Sequence, residues 1–173
     1  LILVGFGNVA RRFVSLLEES REALAALGIA PKVVAIATRQ HGCAFDSAGL
    51  DAVGAAKVVA DAGALGPAIP TSTLNFLSQL PRHAAEARVL VETTTLDIQS
   101  GEPAISHVRA GFAMGADVIT ANKGPVAFAY GALSREAGAA GRSFLFEGAV
   151  MDGLPIFNLV RETMPAATIR GFR

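Results

Sequence analysis

The sequence predicts an α/β fold in which a doubly wound, mostly parallel sheet carries helices on both faces. Two observations lead to this prediction. Short apolar runs at residues 1–4, 33–37 and 89–91 alternate with longer stretches of helical periodicity, as expected of parallel strands that are covered on both sides. The chain also has 173 residues, 51% of them apolar, which is enough for one domain with a sizeable core and excludes a disordered chain.

Charge and cysteine content narrow the functional classes. The formal net charge is zero, from 15 basic and 15 acidic residues, and no basic stripe is present, so nucleic acid is not an expected partner. The sequence shows no apolar run of membrane-spanning length and no secretory signal pattern. The single cysteine, Cys43, allows no internal disulfide and favours a reducing, cytoplasmic location. Cys43 follows Gly42 in a polar loop and is interpreted as an ordinary free thiol.

The first strand ends in a glycine turn. Residues 1–4 are apolar, Gly5 and Gly7 follow, and Ala10 lies at the last position of the pattern G-x-G-x-x-G/A. Gly5 allows a sharp turn, Gly7 lets the backbone approach a pyrophosphate, and a small residue at position 10 lets the next helix pack closely. Free amides at the helix start then face the phosphates. The pattern indicates a dinucleotide-binding domain of the Rossmann type, although an ordinary strand-to-helix turn has the same spacing. The strand begins at Leu1 without a methionine, and we expect a few residues to precede it.

The second strand predicts the nucleotide preference. The helix after the glycine turn is expected to end at Gly28, and residues 33–37 form the next strand. Enzymes that use NAD commonly place an acidic residue after this strand, whereas this chain has Thr38 and Arg39. A guanidinium at this position favours the 2′-phosphate of NADP. The alternative is an arginine that is merely solvated.

A looser stretch follows, over residues 41–70, where Gly, Ala and Asp dominate. Short helices are expected around residues 48–53 and 55–62. Lys57 can reach the same phosphate from this stretch or can be a surface lysine. We expect the whole stretch to pack near the adenine end of a nucleotide.

The third apolar run leads to candidate ligand-binding hydroxyls. Residues 71–73 are expected to cap a short helix that ends near Leu80. Residues 88–92 form a strand that runs into Thr93 and Thr94. Ligands bind at the carboxyl ends of strands in open α/β sheets, so both threonines are cofactor candidates, with a simple turn as the alternative.

The last predicted elements place a lysine and an acidic loop at the same edge of the sheet. A helix over residues 100–114 and a strand over 117–120 lead to Lys123, followed by a helix over 126–140. Lys123 is either a catalytic candidate at the crevice or a solvated side chain. A strand over 144–147 then precedes a loop with two carboxylates, which either holds a hard cation through oxygen ligands or is only a turn. A final helix over 156–164 is expected to begin a connection, so we divide the chain into a dinucleotide-binding domain, 1–155, and a connecting segment, 156–173.

With these elements in place, the chain resembles the nucleotide-binding half of homoserine dehydrogenase over essentially its whole length. The most specific segments are residues 101–104, 118–125 and 147–156, in that order. The resemblance implies reduction of L-aspartate 4-semialdehyde to L-homoserine with NAD(P)H, a step toward threonine, methionine and isoleucine. It also implies a homodimeric, cytoplasmic enzyme whose catalytic domain lies outside these residues, so that this chain binds cofactor without reducing the aldehyde.

The resemblance assigns roles to individual residues. NADP(H) is the favoured cofactor and NAD(H) the alternative, and a monovalent cation, sodium or potassium, is implied. Asp152 stands where the family usually has a small apolar residue. The implied roles are as follows: Gly5, Phe6, Gly7, Asn8 and Val9 line the dinucleotide, Arg39 and Lys57 hold the 2′-phosphate, Thr93 and Thr94 lie near the nicotinamide, Lys123 contacts nicotinamide and substrate and is catalytic, and Glu147 binds the cation with carbonyl groups of Val150, Asp152 and Leu154.

Other classes fit less well. A short-chain reductase has a lysine four residues after its tyrosine, whereas Tyr130 is followed at that spacing by Ser134. A methyltransferase commonly has an acidic residue at the end of its second strand, where this chain has Arg39. A non-catalytic nucleotide-sensing domain remains the main alternative.

Overall fold

The computed structural model describes residues 1–65, 72–81, 87–151 and 154–171. Within this part of the chain, six strands form one sheet. They are β1 (Ile2–Val4), β2 (Ala35–Ala37), β3 (Cys43–Phe45), β4 (Val89–Glu92), β5 (Asp117–Thr120) and β6 (Phe144–Leu145). Their order across the sheet is β3-β2-β1-β4-β5-β6. The pairing is parallel throughout except between β2 and β3.

Helices connect the strands. They are α1 (Asn8–Glu19), α2 (Arg21–Ala26), α3 (Ala52–Ala62), α4 (Thr73–Gln79), α5 (Ala104–Ala113), α6 (Lys123–Ala140) and α7 (Ile156–Thr163), with a 3₁₀ turn at Glu147–Ala149. None of the helices in the described residues is both long and apolar enough to cross a bilayer.

The core has two layers because alternate residues of a strand point to opposite faces of the sheet. Ile2 and Val4 of β1 lie in one buried cluster with residues of α4, α5 and α6, whereas Leu3 lies in a second cluster with residues of α1 and α3. Helices therefore cover both faces, and the predicted doubly wound fold of the Rossmann type is confirmed.

Most predicted elements are present, but several begin or end elsewhere. The predicted helix after the glycine turn is interrupted at Ser20, so that α1 and α2 are separate. It ends as expected before Gly28, whose φ is +73°. In place of a helix over 48–53, α3 begins at Ala52, because Asp51 accepts a hydrogen bond from the Gly54 amide at 2.8 Å and caps its start.

Three further predictions are corrected. Cys43 lies in strand β3 instead of a loop, since residues 38–42 form a tight turn that folds β3 back on β2. Helix α5 begins at Ala104, later than the predicted residue 100, and α6 begins at Lys123, earlier than the predicted 126. The cap of α4 is confirmed at Ser72, whose hydroxyl accepts from the Asn75 amide at 3.2 Å, whereas Thr71 lies outside the described residues.

Candidate dinucleotide-binding site

The carboxyl ends of β1, β2 and β4 open into one cleft, with a volume of about 410 Å³. Its walls come from the glycine turn, the turn after β2, the start of α4, the segment after β4 and the first turns of α5. The lining residues are Gly5, Phe6, Gly7, Ala37, Thr38, Arg39, Gln40, His41, Ser72, Thr73, Leu74, Thr93, Thr94, Thr95, Pro103 and His107.

The glycine turn is built as its sequence predicts. Gly5 has a φ of +87°, and a Cβ atom there would lie 2.8 Å from the carbonyl carbon and oxygen of Thr93. Gly7 precedes α1 without any side-chain capping bond, and a Cβ on Gly7 would meet nothing within 4 Å. The first amides of α1 therefore lack helical acceptors, and the space beside Gly7 is open, which together fit a phosphate group.

The turn after β2 presents Arg39 at the cleft. The Thr38 hydroxyl donates to the Gly42 carbonyl at 2.8 Å and accepts from the His41 amide at 2.7 Å. The His41 ring bonds to the Gly63 carbonyl at 2.5 Å, which ties the turn to the end of α3. Arg39 is exposed, so its guanidinium is available to an anion in the cleft.

A buried carboxylate organises the segment after β4. Glu92 is 0% exposed, and its Oε1 accepts from the Thr94 amide at 2.9 Å and from the Thr94 hydroxyl. Its Oε2 accepts from the Thr120 hydroxyl at 2.9 Å. Thr93 packs against the glycine turn, since its hydroxyl lies 3.3 Å from the Val4 carbonyl and 3.2 Å from that of Gly5.

Asn122 joins this network to the start of α6. The backbone amide of Asn122 donates to the Thr120 hydroxyl at 3.0 Å, and its side-chain NH₂ group donates to the Thr94 carbonyl at 3.0 Å. The same side chain accepts from the Gly124 amide at 2.9 Å and caps α6. Lys123 is thereby fixed as the first helical residue, beside the network, with an exposed side chain.

The cleft brings together six of the ten predicted cofactor residues: Gly5, Phe6, Gly7, Arg39, Thr93 and Thr94. The other four do not line it. Asn8 begins α1 and accepts from Arg11 at 3.0 Å, Val9 is 58% exposed, and Lys57 lies exposed on α3. Lys123 follows Asn122, at the edge of the hydrogen-bond network around Glu92.

Of the residues predicted to bind a cation, those that the structure describes lie outside the cleft, around the 3₁₀ turn and the start of α7. The Glu147 carboxylate accepts from the amides of Phe157, at 2.8 Å, and Asn158, at 3.3 Å. It therefore satisfies the start of α7. Val150 follows the 3₁₀ turn and Leu154 is exposed, whereas Asp152 lies outside the described residues. Among the residues that are described, no group of three or more His, Cys, Asp or Glu side chains is arranged to hold a metal ion.

Sequence reasoning missed Glu92 and His107. His107 is 3% exposed and lines the cleft, and its Nδ1 lies 3.7 Å from Glu92 Oε1. That nitrogen has no hydrogen-bond partner in the described part of the chain. The sequence signal for Glu92 was an acidic residue at the end of a strand that was expected to be buried. Such a residue indicates a special role, because buried charged side chains are rare unless they have partners.

The strand order, the glycine turn and a cleft at the carboxyl ends of the strands define a dinucleotide-binding Rossmann domain. Comparison with known proteins agrees, since the model of the NAD-binding domain of homoserine dehydrogenase matches residues 5–147. The chain belongs to the homoserine dehydrogenase family, as the sequence predicted.

Individual relatives extend this result. An NAD(+)-dependent homoserine dehydrogenase of Pseudomonas canavaninivorans is 32% identical and is matched over 99% of this chain and 49% of its own length. The homoserine dehydrogenase of Methanocaldococcus jannaschii is 34% identical over 100% of this chain and 51% of its own. The chain thus spans about half the length of the curated relatives it matches.

Solved structures agree on the fold. Homoserine dehydrogenase from Thermoplasma acidophilum superposes with a TM-score of 0.77 at 21% identity, over 95% of this chain and 47% of that one. A hyperthermophilic archaeal homoserine dehydrogenase in complex with NADPH superposes with a TM-score of 0.71 at 25% identity, over 94% of this chain and 48% of that one.

Proposed function

We propose that this chain forms the NADP(H)-binding half of an enzyme that reduces L-aspartate 4-semialdehyde to L-homoserine. The observation that carries the proposal is a cleft that combines an uncapped helix start at the glycine turn with an exposed guanidinium, Arg39, after β2. Both features suit phosphate groups, one at the pyrophosphate and one at the 2′-phosphate. The bound dinucleotide supplies the hydride.

The residues of the chain bind and orient the reactants in this proposal. The glycine turn holds the pyrophosphate, and Thr93 and Thr94 form the wall at the nicotinamide end. Lys123, exposed at the start of α6, carries a positive charge beside that wall and stabilises negative charge that develops on the substrate oxygen. The substrate itself is assigned from the family and not from this cleft.

Arg39 carries the preference for the phosphorylated nucleotide. One relative is named as NAD(+)-dependent and another is named as a complex with NADPH, so family membership alone does not decide this preference. The acid that commonly follows the second strand in NAD-binding domains is replaced here by Thr38 and Arg39. Lys57, exposed on α3, adds a second positive charge for the same phosphate.

A monovalent cation and a dimeric enzyme are also part of the proposal. Glu147 and the carbonyl groups of Val150, Asp152 and Leu154 are the proposed cation ligands, supported by the preference of such ions for oxygen. The Glu147 carboxylate would hold the cation while it also accepts from the start of α7. The proposed homodimer rests on the family resemblance alone.

Parallel titration of the purified chain with NADPH and NADH tests the proposal. We expect NADPH to bind more tightly, and Arg39→Gln to weaken NADPH binding by about tenfold or more, since hydrogen bonds to charged groups contribute about 1.5–3 kcal/mol. NADH binding should change by less than about twofold, because NADH lacks the 2′-phosphate. Arg135→Gln, an exposed arginine on α6, is the matched control. Tighter binding of NADH, or equal losses for both nucleotides, would contradict the role of Arg39.

A further inference from the structure

Glu92 is the feature that the proposed function leaves unexplained. A fully buried carboxylate is costly unless hydrogen bonds satisfy both of its oxygens. Glu92 lies at the carboxyl end of β4, between β1 and β5 in the sheet, and is 0% exposed. Its position directly before Thr93 and Thr94 couples it to the part of the cleft assigned to the nicotinamide.

The directions of the hydrogen bonds around Glu92 follow from the donors. An amide can only donate, so Glu92 Oε1 accepts from the Thr94 amide at 2.9 Å. Glu92 Oε2 accepts from the Thr120 hydroxyl at 2.9 Å, and that hydroxyl in turn accepts from the Asn122 backbone amide at 3.0 Å. His107 is too distant, at 3.7 Å, to take a share of these bonds. Both carboxylate oxygens of Glu92 therefore act as acceptors in this network.

This polarity determines what Thr94 offers to the cleft. The Thr94 hydroxyl donates its one proton to Glu92 Oε1, so only its lone pairs remain for a ligand. Thr93 is similar, because its hydroxyl donates toward the carbonyl groups of Val4 and Gly5. The hydroxyls of Thr93 and Thr94 are therefore acceptors toward a ligand and cannot donate to a phosphate oxygen, whereas Thr95, which also lines the cleft, is exposed.

We propose that Glu92 is a positioning residue that fixes Thr94 as a hydrogen-bond acceptor, so that this end of the cleft selects a ligand group with N–H donors. Resting on the proposed function, this assigns the nicotinamide carboxamide, whose NH₂ group donates two hydrogen bonds, to the Thr94 wall. The same polarity disfavours phosphate beside Thr94, whereas the free amides at the start of α1 favour it. Glu92 thus acts on the ligand only through Thr94.

The test compares two ligands that differ in this donor. The probes are NADP⁺ and its 3-acetylpyridine analogue, in which a methyl group replaces the amide nitrogen. Titration calorimetry gives the ratio of their dissociation constants for each variant, and the ratio cancels any change in the fraction of folded protein. For the wild type we expect the analogue to bind about tenfold more weakly, because an acceptor in the wall loses its donor.

Matched variants separate polarity from charge. Thr94→Ser keeps the hydroxyl and should keep the ratio, whereas Thr94→Val should bring it to within about twofold of one. Glu92→Gln should leave the ratio of dissociation constants unchanged, since its side-chain oxygen can accept from both donors of Thr94. Glu92→Asp should bring the ratio close to one, because its side chain is shorter by one methylene and no longer reaches the Thr94 hydroxyl. Thr163→Val on α7 makes the same threonine-to-valine substitution outside the cleft and serves as the control, with an unchanged ratio expected.

Two results would contradict the positioning role of Glu92. A wild-type ratio near one, or a Glu92→Asp ratio equal to that of the wild type, overturns the inference. If Glu92→Asp does not fold, NMR of the wild type replaces it: the Thr94 hydroxyl proton should exchange slowly and correlate with the Glu92 carboxylate carbon, and rapid exchange would overturn the inference. Failure of NADP⁺ to bind at all would instead reject the proposed function.

Discussion

Replacing Gly5 with alanine should destabilise the fold through two separable effects. The φ of +87° at Gly5 disfavours any residue with a Cβ atom, which costs about 1–2 kcal/mol. The added Cβ would also lie 2.8 Å from the Thr93 carbonyl carbon and 2.9 Å from the Thr94 nitrogen. These are backbone atoms of the segment after β4, so β1 and β4 must move apart, at a further cost of about 1–3 kcal/mol. The expected loss is about 2–5 kcal/mol.

Two other glycines serve as controls for Gly5→Ala. Gly141, after α6, has a φ of +62° with nothing within 4 Å of its Cβ position, so Gly141→Ala should show the conformational cost alone. Gly7 has a φ of −81° and is equally uncrowded, so Gly7→Ala should leave stability nearly unchanged and weaken nucleotide binding instead. Urea unfolding measures the losses. Equal losses for Gly5→Ala and Gly141→Ala would refute the contribution of the contact with Thr93.

Two carboxylates give further predictions. Asp51→Ala removes the acceptor for the Gly54 amide at 2.8 Å and should lower the free energy of unfolding by about 1 kcal/mol, whereas Asp51→Asn should cost less; equal losses in urea unfolding would exclude the capping role. The Ser100 and Gln99 amides lower the pKa of Asp97, so its contribution to stability is present above its unfolded pKa, about 3.9, and is lost as pH falls through the lower folded value. Asp97→Asn should therefore flatten the acid side of the stability profile below about pH 4, and unfolding curves that stay parallel to those of the wild type would contradict this.

Local signals made most of the fold predictable. The apolar runs located β1 and β4, and the glycines at positions 28 and 141 ended helices as expected, because these signals act within a few residues of the chain. Strand β3 was missed since its residues are only partly buried and become a strand by pairing with β2. That pairing depends on the turn held by the Thr38 hydroxyl, which the sequence pattern does not reveal.

The site was predictable in its residue types and less so in its geometry. Thr93 and Thr94 were expected at the cleft because they follow a strand, and both line it. Glu92 was overlooked, since its burial and its bonds to Thr94 and Thr120 are tertiary properties. Lys123 was expected at the crevice, and the Asn122 cap, which places it as the first residue of α6 with an exposed side chain, is a tertiary detail that the sequence pattern did not reveal.

The contrast between Gly5 and Arg39 has an evolutionary consequence. Arg39 is exposed and makes no hydrogen bond or ion pair within residues 1–65, 72–81, 87–151 and 154–171, whereas Gly5 lies against the backbone of Thr93 and Thr94, directly after β4. If Arg39 has the proposed role, mutations at position 39 would change ligand preference with little effect on folding, whereas mutations at position 5 would destabilise the fold. On that proposal, a lineage could exchange one nucleotide for the other through single surface substitutions while the glycine turn stays the same.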